Sequence, residues 1–374
     1  MNKCLVGSAV ALALALPVSA FGQSQSDISE LKSQVEELNQ KIENLEEKEA
    51  ESSWTDKISM KGDFRYKFEG IYEDGQEDRD RQRIRARLFV NAQVHDTADV
   101  GLEISTGGSN PRSRDATLSS DGSPKSITLR QAYAKWRPMD GMTVTAGKAT
   151  RPWAINAIEY FHDSDYMPEG LSAKFSNGPF FGSAWWIQLA ERGADDDTSM
   201  WGGQVGYAGD LFYANVLYKD FQDIEGFNPC FNGNCNGNTV DAAGNLVYDY
   251  NIIELRGGVK LSGFDIFASF AQNGDADTED TAYSYGVSYG KVKDPGTWQV
   301  GVIYQDMEKD ALYGGMIDAT FAGGRTAHDG YAIKGAYGLS KNWVLEGFWA
   351  DNDIDKTGNE RGYQRYQVNF LWKF

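Results

Sequence analysis

From Ile28 onward the apolar residues fall at Leu31, Val35, Leu38, Ile42 and Leu45, three and four apart, with Glu, Lys, Gln and Asn between them. This period of about 3.5 predicts a coiled-coil helix over 27–50. A helix so polar on its other faces cannot bury its stripe alone, so the pattern implies a partner helix; the plainer alternative is an amphipathic helix lying on another surface. Ile28, Val35 and Ile42 take one core position and Leu31, Leu38 and Leu45 the other, an arrangement that in parallel coils favours two strands.

After Trp54 the period changes to two and stays there to the C-terminus. In the first stretch Ile58, Met60, Phe64, Tyr66 and Phe68 alternate with Lys57, Ser59, Lys61, Asp63, Arg65, Lys67 and Glu69. In the second, Ile84, Ala86, Leu88, Val90, Ala92 and Val94 share one face and Arg83, Arg85, Arg87, Asn91 and Gln93 the other. Sixteen such strands are predicted between 57 and 374. Alternation alone also suits a soluble sandwich, but the connections discriminate. Those after even-numbered strands are short, as at His95–Thr97, Pro138–Asp140, Gly209 and Ser262, and those after odd-numbered strands are mostly long, including 107–126, 149–168, 221–249 and 306–328. Short turns at one end and long loops at the other mark an outer-membrane barrel. The predicted fold is all-β, a 16-stranded antiparallel transmembrane β-barrel over 57–374 preceded by the short helix. An even strand number puts both chain ends on the periplasmic side.

The first residues sharpen this reading. Lys3, the apolar run Leu5–Leu16, Pro17 and Val18-Ser19-Ala20 form a secretory signal peptide over 1–20, which takes Cys4 with it. No later stretch approaches the roughly 18 apolar residues of a membrane helix. A polar chain with 41 Gly, 19 Tyr, 19 Phe and 10 Trp fits a barrel, whose lumen face is free to be polar. Tyr283, Tyr285, Tyr289, Trp298, Tyr304, Tyr331, Tyr337, Trp343 and Trp349 stand toward strand ends, as interfacial girdles do. A net charge of -18 argues against nucleic acid as a partner. Nine acids and three lysines between Asp27 and Glu51 put much of that charge in the helix. The two remaining cysteines, Cys230 and Cys235, are read as a local disulfide in an exported loop, with a pair of free thiols as the alternative.

Tyr366, Val368, Phe370, Trp372 and Phe374 alternate with polar residues and end the chain on Phe, which resembles the assembly signal of outer-membrane proteins. The chain looks like the Gram-negative porins, and in particular a family of putative porins from environmental proteobacteria. The resemblance covers the whole barrel and is most specific over Leu129–Trp136, Ala146–Lys148, Pro152-Trp153 and His162–Leu171. It implies passive diffusion of small hydrophilic solutes and ions through a water-filled lumen narrowed by an inserted third loop, here Ala149–Pro168. It also implies outer-membrane lipid and lipopolysaccharide as surroundings, a homotrimer, and the barrel assembly machinery as a partner through the strand ending at Phe374. A threefold porin conflicts with the two-stranded preference of the seam. A coiled coil before the barrel is similar to some anion- and sugar-specific porins, so a selective pore is the alternative, as is a structural or adhesive barrel without conductance.

Arg79, Arg81, Arg83, Arg85 and Arg87 share one strand face. Arg facing lipid at mid-membrane costs roughly 2–4 kcal/mol each, so they belong to the lumen. The same parity sends Lys61, Arg65 and Lys67 inward, with Lys135, Lys174, Arg256, Lys260 and Lys334 from other strands. Glu159, Asp163 and Asp165 of the third loop then face a basic wall across a constriction; the plainer reading is charge that merely solvates a wet lumen. Acidic runs at Asp195–Asp197, Asp275–Asp280 and Asp351–Asp355 raise the question of calcium, but Lys356 stands where a calcium loop needs Gly. No metal or cofactor is expected. His95, His162 and His328 make no triad with a nucleophile, so an enzyme is not expected either.

Overall fold

The structure, a computed structural model, describes residues 25–52, 55–119, 121–155, 159–194, 196–231 and 235–374. The expected signal peptide lies outside these residues, as does Asp195. The chain divides into two units, Met1–Lys57 and Ile58–Phe374. Among its described residues the first contains the α-helix α1 (Gln25–Ser52) and a single 3-10 turn, Thr55–Lys57. Of its seam, Val35, Leu38 and Ile42 are about half exposed, at 53%, 58% and 50%, and Glu37 pairs with Lys41 one turn on. Among the described residues no helix is long and apolar enough to cross a membrane.

The second unit is a closed antiparallel barrel of sixteen long strands. They are β1 (Ile58–Glu73), β2 (Arg79–His95), β3 (Ala98–Thr106), β4 (Ile127–Trp136), β5 (Met142–Lys148), β6 (Glu169–Asn177), β7 (Phe180–Ala190) and β8 (Thr198–Ala208). Then come β9 (Phe212–Gln222), β10 (Asn251–Leu261), β11 (Phe264–Asn273), β12 (Thr281–Gly290), β13 (Trp298–Met307), β14 (His328–Ser340), β15 (Trp343–Ile354) and β16 (Arg361–Lys373). Each pairs with its sequence neighbour, and β1 closes on β16 from Asp63 opposite Lys373 to Glu73 opposite Tyr363. Closure leaves no edge strand, so the backbone satisfies its own hydrogen bonds. Beyond the ladder, Gly62 and Phe374 exchange both backbone hydrogen bonds.

Several strands outrun the apolar pattern. β1 continues to Glu73 and β15 to Ile354, because Glu73 and Ile354 still pair with Tyr363 and Arg361; ladder hydrogen bonds need no apolar side chains. Asp351 and Asp353 therefore belong to β15, and Asp355 accepts from Arg361. This acidic run is strand and ion pair, not a calcium loop.

The outward positions are the exposed apolar ones, such as Phe64 and Phe68 in β1 and Tyr283, Tyr285 and Tyr289 in β12. The buried core lies inside the barrel. Trp185, Met200, Leu217, Phe221, Ile252 and Met307 of the wall pack against Trp153, Phe161, Ile224, Leu246, Leu312, Met316 and Ile317 of three long connections. Loop insertion is thus not confined to the stretch before β6: the connections before β10 and β14 also contribute to this core.

Candidate functional site: the charged lumen

The third loop (149–168) is held to the wall of β9–β11 by a buried ionic network. Glu159 accepts from Arg256 Nε at 3.0 and 2.9 Å and from Ser269 Oγ at 3.1 Å. Glu254 takes Lys219, the other face of Arg256, and His162 Nε2 at 3.0 Å. Trp153 covers this cluster, edge-on to His162 at 5.6 Å and with Lys219 Nζ 5.1 Å above its ring. Burial, opposed by Glu254 and reinforced by Lys219, lowers His162 to about 3, so it is neutral at pH 7. Glu159, His162 and Glu254 bring ligand atoms within 4.8 Å of one another. Lys219 and Arg256 already neutralise both carboxylates, which makes the group a latch rather than a metal centre.

The third loop is in turn tied to the connection 308–327. Asp163 donates its backbone N–H to Met316 O and accepts from Ala319 N at 2.9 Å, and Tyr160 stacks on Phe321 at 5.1 Å. Arg112, from the connection 107–126, donates to the carbonyls of Gly314, Ile317 and Gly324 and to the Asn236 side chain. One guanidinium thus joins three long connections, using a planar fork of five donors that a lysine lacks. Cys230 and Cys235, in the connection 223–250, are joined by a disulfide.

Beside these loops, against β1, β2 and β14–β16, an open space of about 580 Å³ remains. Arg65, Lys67, Arg81, Arg83 and Arg85 of the wall line it together with Asp163, Asp165 and Asp318 of the loops. The wall cations are not bare. Asp63 lies between Arg85 at 3.0 Å and Arg87 at 2.5 Å. Glu69 takes Arg81, Arg83 at 3.4 Å and Arg365 at 2.7 Å, and Asp115 takes Arg65, Lys67 at 2.7 Å and Arg83 at 3.4 Å. Although burial favours the neutral acid, Lys67, Arg65 and Arg83 hold Asp115 far below the usual carboxylate range. Asp165 is likewise lowered against burial, by Arg114 first. Asp163 goes the other way: burial, then repulsion from Asp318 and Asp165, raises it well above that range.

Of the residues expected at the pore, Arg65, Arg83, Arg85, Asp163 and Asp165 meet at this opening. Arg87 stands beside it on Asp63. Lys61 and Lys135 stand on aromatic rings of the wall, 5.8 Å above Phe89 and 4.6 Å above Tyr133. Glu159 does not face the opening; Arg256 draws it to the opposite wall, where both side chains are fully buried. Parity alone places Asp63 and Glu69 inward with the arginines, a signal lost by following cations only. Arg112, Arg114, Asp115 and Asp318 come from connections with no periodicity and carried no such signal. Arg130 breaks parity: β4 bulges between the residues facing Glu103 and Ile104, which turns Arg130 inward onto the carbonyls of Asn110 and Pro111.

A closed sixteen-stranded antiparallel barrel with lipid-compatible outer positions and a charged lumen defines an outer-membrane channel protein. A family model described as "Putative porin" matches residues 70–239 and 232–369, and the chain belongs to that family. Among solved structures it is similar to OprB of Pseudomonas putida, at 13% identity and TM-score 0.57 over 86% of this chain and 96% of that one. It is also similar to a loop-deletion mutant of OmpT, an outer membrane protein of Vibrio cholerae, at 13% identity and TM-score 0.53 over 85% and 99%. A mutant of Rh. blastica porin matches at 13% identity and TM-score 0.53 over 85% and 100%. No curated protein matches in sequence. The protein is an outer-membrane porin.

Proposed function

We propose that the chain is a passive diffusion channel for small hydrophilic solutes, catalysing nothing, with a preference for anions. The observation that carries this reading is the composition of the opening: ten cationic side chains line it against seven carboxylates. Asp163, raised by burial, weakens the acidic side further. Fixed positive charge raises the local concentration of anions, within a Debye length of about 8–10 Å at moderate salt. The wall arginines and the loop acids set a transverse field that orients polar solutes. The full chain in a planar bilayer, under a salt gradient, is expected to conduct with a reversal potential on the anion side. A silent barrel would make the structural or adhesive reading the right one, and a cation-side potential would overturn the preference.

The same reading makes the chain a homotrimer with its helix in the periplasm, assembling through the strand that ends at Phe374. The half-exposed Val35, Leu38 and Ile42 support a helix that associates with copies of itself. Deleting residues 24–50 is expected to lower the heat resistance of the oligomer on semi-native gels while leaving the barrel folded. An oligomer of unchanged resistance would reduce the helix to a spacer.

A further inference from the structure

Most wall arginines around the opening share carboxylates, but Lys61 and Lys135, nearer the short-turn end, do not. Lys61, in β1, has no ion pair among the described residues, and neither has Lys135, next to the last residue of β4. The nearby carboxylates are engaged: Asp63 by Arg85 and Arg87, and Asp99, opposite Lys135 in the ladder, by Arg137.

Both ammonium groups rest on inward aromatic rings, and the ladder brings those rings together. Lys61 lies opposite Phe89 of β2 and sits over its ring, which Arg87 also approaches at 5.4 Å. Tyr133 lies opposite Gly101 of β3 and covers it so closely that a Cβ there would stand 2.5 Å from the ring and its hydroxyl. Gly101 is therefore required for the shelf under Lys135. Phe89 faces Glu103 of β3, two residues from Gly101, so the Tyr133 ring lies over the β3 position diagonal to Phe89, roughly 7–8 Å from it at the backbone. The lysines lean toward them from the two flanking strands, β1 and β4.

We propose that Lys61, Lys135 and Arg87, on the Phe89 and Tyr133 shelves, form a binding site for small divalent oxyanions of the inorganic phosphate class. It deepens the anion-channel reading and rests on it. Each ammonium keeps donors free for an oxyanion, and a ring on one side strips part of its hydration, which strengthens a charge-assisted hydrogen bond. An anion with several oxygens and two charges can engage both heads and the guanidinium together; chloride cannot bridge them.

The test uses the purified full chain and inorganic phosphate at pH 8. Titration calorimetry in detergent is expected to give saturable binding, weakened roughly tenfold or more in Lys61→Gln/Lys135→Gln and less in each single variant. A charge-matched control, Lys293→Gln/Lys341→Gln, alters two lysines of the short turns and is expected to bind phosphate like the parent. In bilayers, phosphate is expected to reduce chloride current through the parent and the control at concentrations that leave the double variant unaffected. Absence of saturable binding to the parent, or equal binding by both double variants, would overturn the site. Phosphate binding by a non-conducting parent would retain the site and reject the channel, and conduction without binding would do the reverse.

Discussion

The two halves of the lumen are built by the same alternating strands, yet one is dry and the other charged. Across β7–β13 apolar inward positions alternate with polar ones, and three long connections pack onto the apolar ones as a core containing Trp153, Phe161, Leu217, Ile252, Met316 and Ile317. Across β1, β2 and β16 the inward positions are mostly charged or polar, and the loops meet them through carboxylates such as Asp115 rather than through apolar packing, leaving space between. Outward faces are alike because lipid imposes one chemistry everywhere. Inward faces differ because water or another chain segment is free to fill the lumen, and the side chains there decide which. Within the dry half the buried ionic latch of Glu159, His162, Lys219, Glu254 and Arg256 ties the third loop to the wall.

This contrast breaks first at Arg256. Arg256→Ala leaves Glu159 without its guanidinium and Glu254 short of one cation in a site closed to water. Removing one partner of a buried pair costs about 3–5 kcal/mol. A lower unfolding midpoint and protease cleavage within 149–168 are expected. Arg79→Ala, at an exposed position of the wet half, is expected to cost no more than about 1 kcal/mol; equal losses at the two positions would erase the distinction between the halves.

Acid is expected to divide the two loop residues in opposite senses. His162 is lowered from 6.5 to about 3 in the folded chain, so the unfolded chain takes up the proton first. Stability drawn from it is lost as pH falls from 6.5 toward 3, by at most about 1.4 kcal/mol per pH unit. Asp163 is raised, so the folded chain takes up that proton first, and its burial costs progressively more as pH rises above 3.8. In melting curves between pH 4 and 8, His162→Asn is expected to lose less on acidification than the parent, and Asp163→Asn to gain most near pH 8. Parallel curves for all three proteins would remove both assignments.

The most direct effect on transport belongs to Arg85 and Arg87. Changing both to Ser leaves Asp63 as an uncompensated carboxylate on the wall. The reversal potential is expected to move toward cations, most at low ionic strength, where a Debye length of about 30 Å at 0.01 M leaves the charge unscreened. A potential that stays where it was would make this stretch of the wall solvating charge only.

The sequence by itself determined the barrel. Period-two alternation from Ile58 to Phe374, sixteen stretches and the asymmetry of turns and loops fix strand number, pairing order and which face meets lipid, because each is a local consequence of the pleat and of the cost of polar groups in hydrocarbon. It also determined which residues of regular strands face inward, the arginines of β2 among them, though not Arg130 at the β4 bulge. It did not determine what those residues meet. Asp115 reaches the arginine wall, Asp165 pairs with Arg114 of another connection, Glu159 leaves the opening for Arg256, and Arg112 gathers three connections, all across sequence separations that periodicity does not describe. A loop has no repeat to read, and its course is set by which apolar patches and unpaired charges the closed wall offers. Only the tertiary structure, by folding those loops into the cylinder, decided which half of the lumen is filled and which stays open.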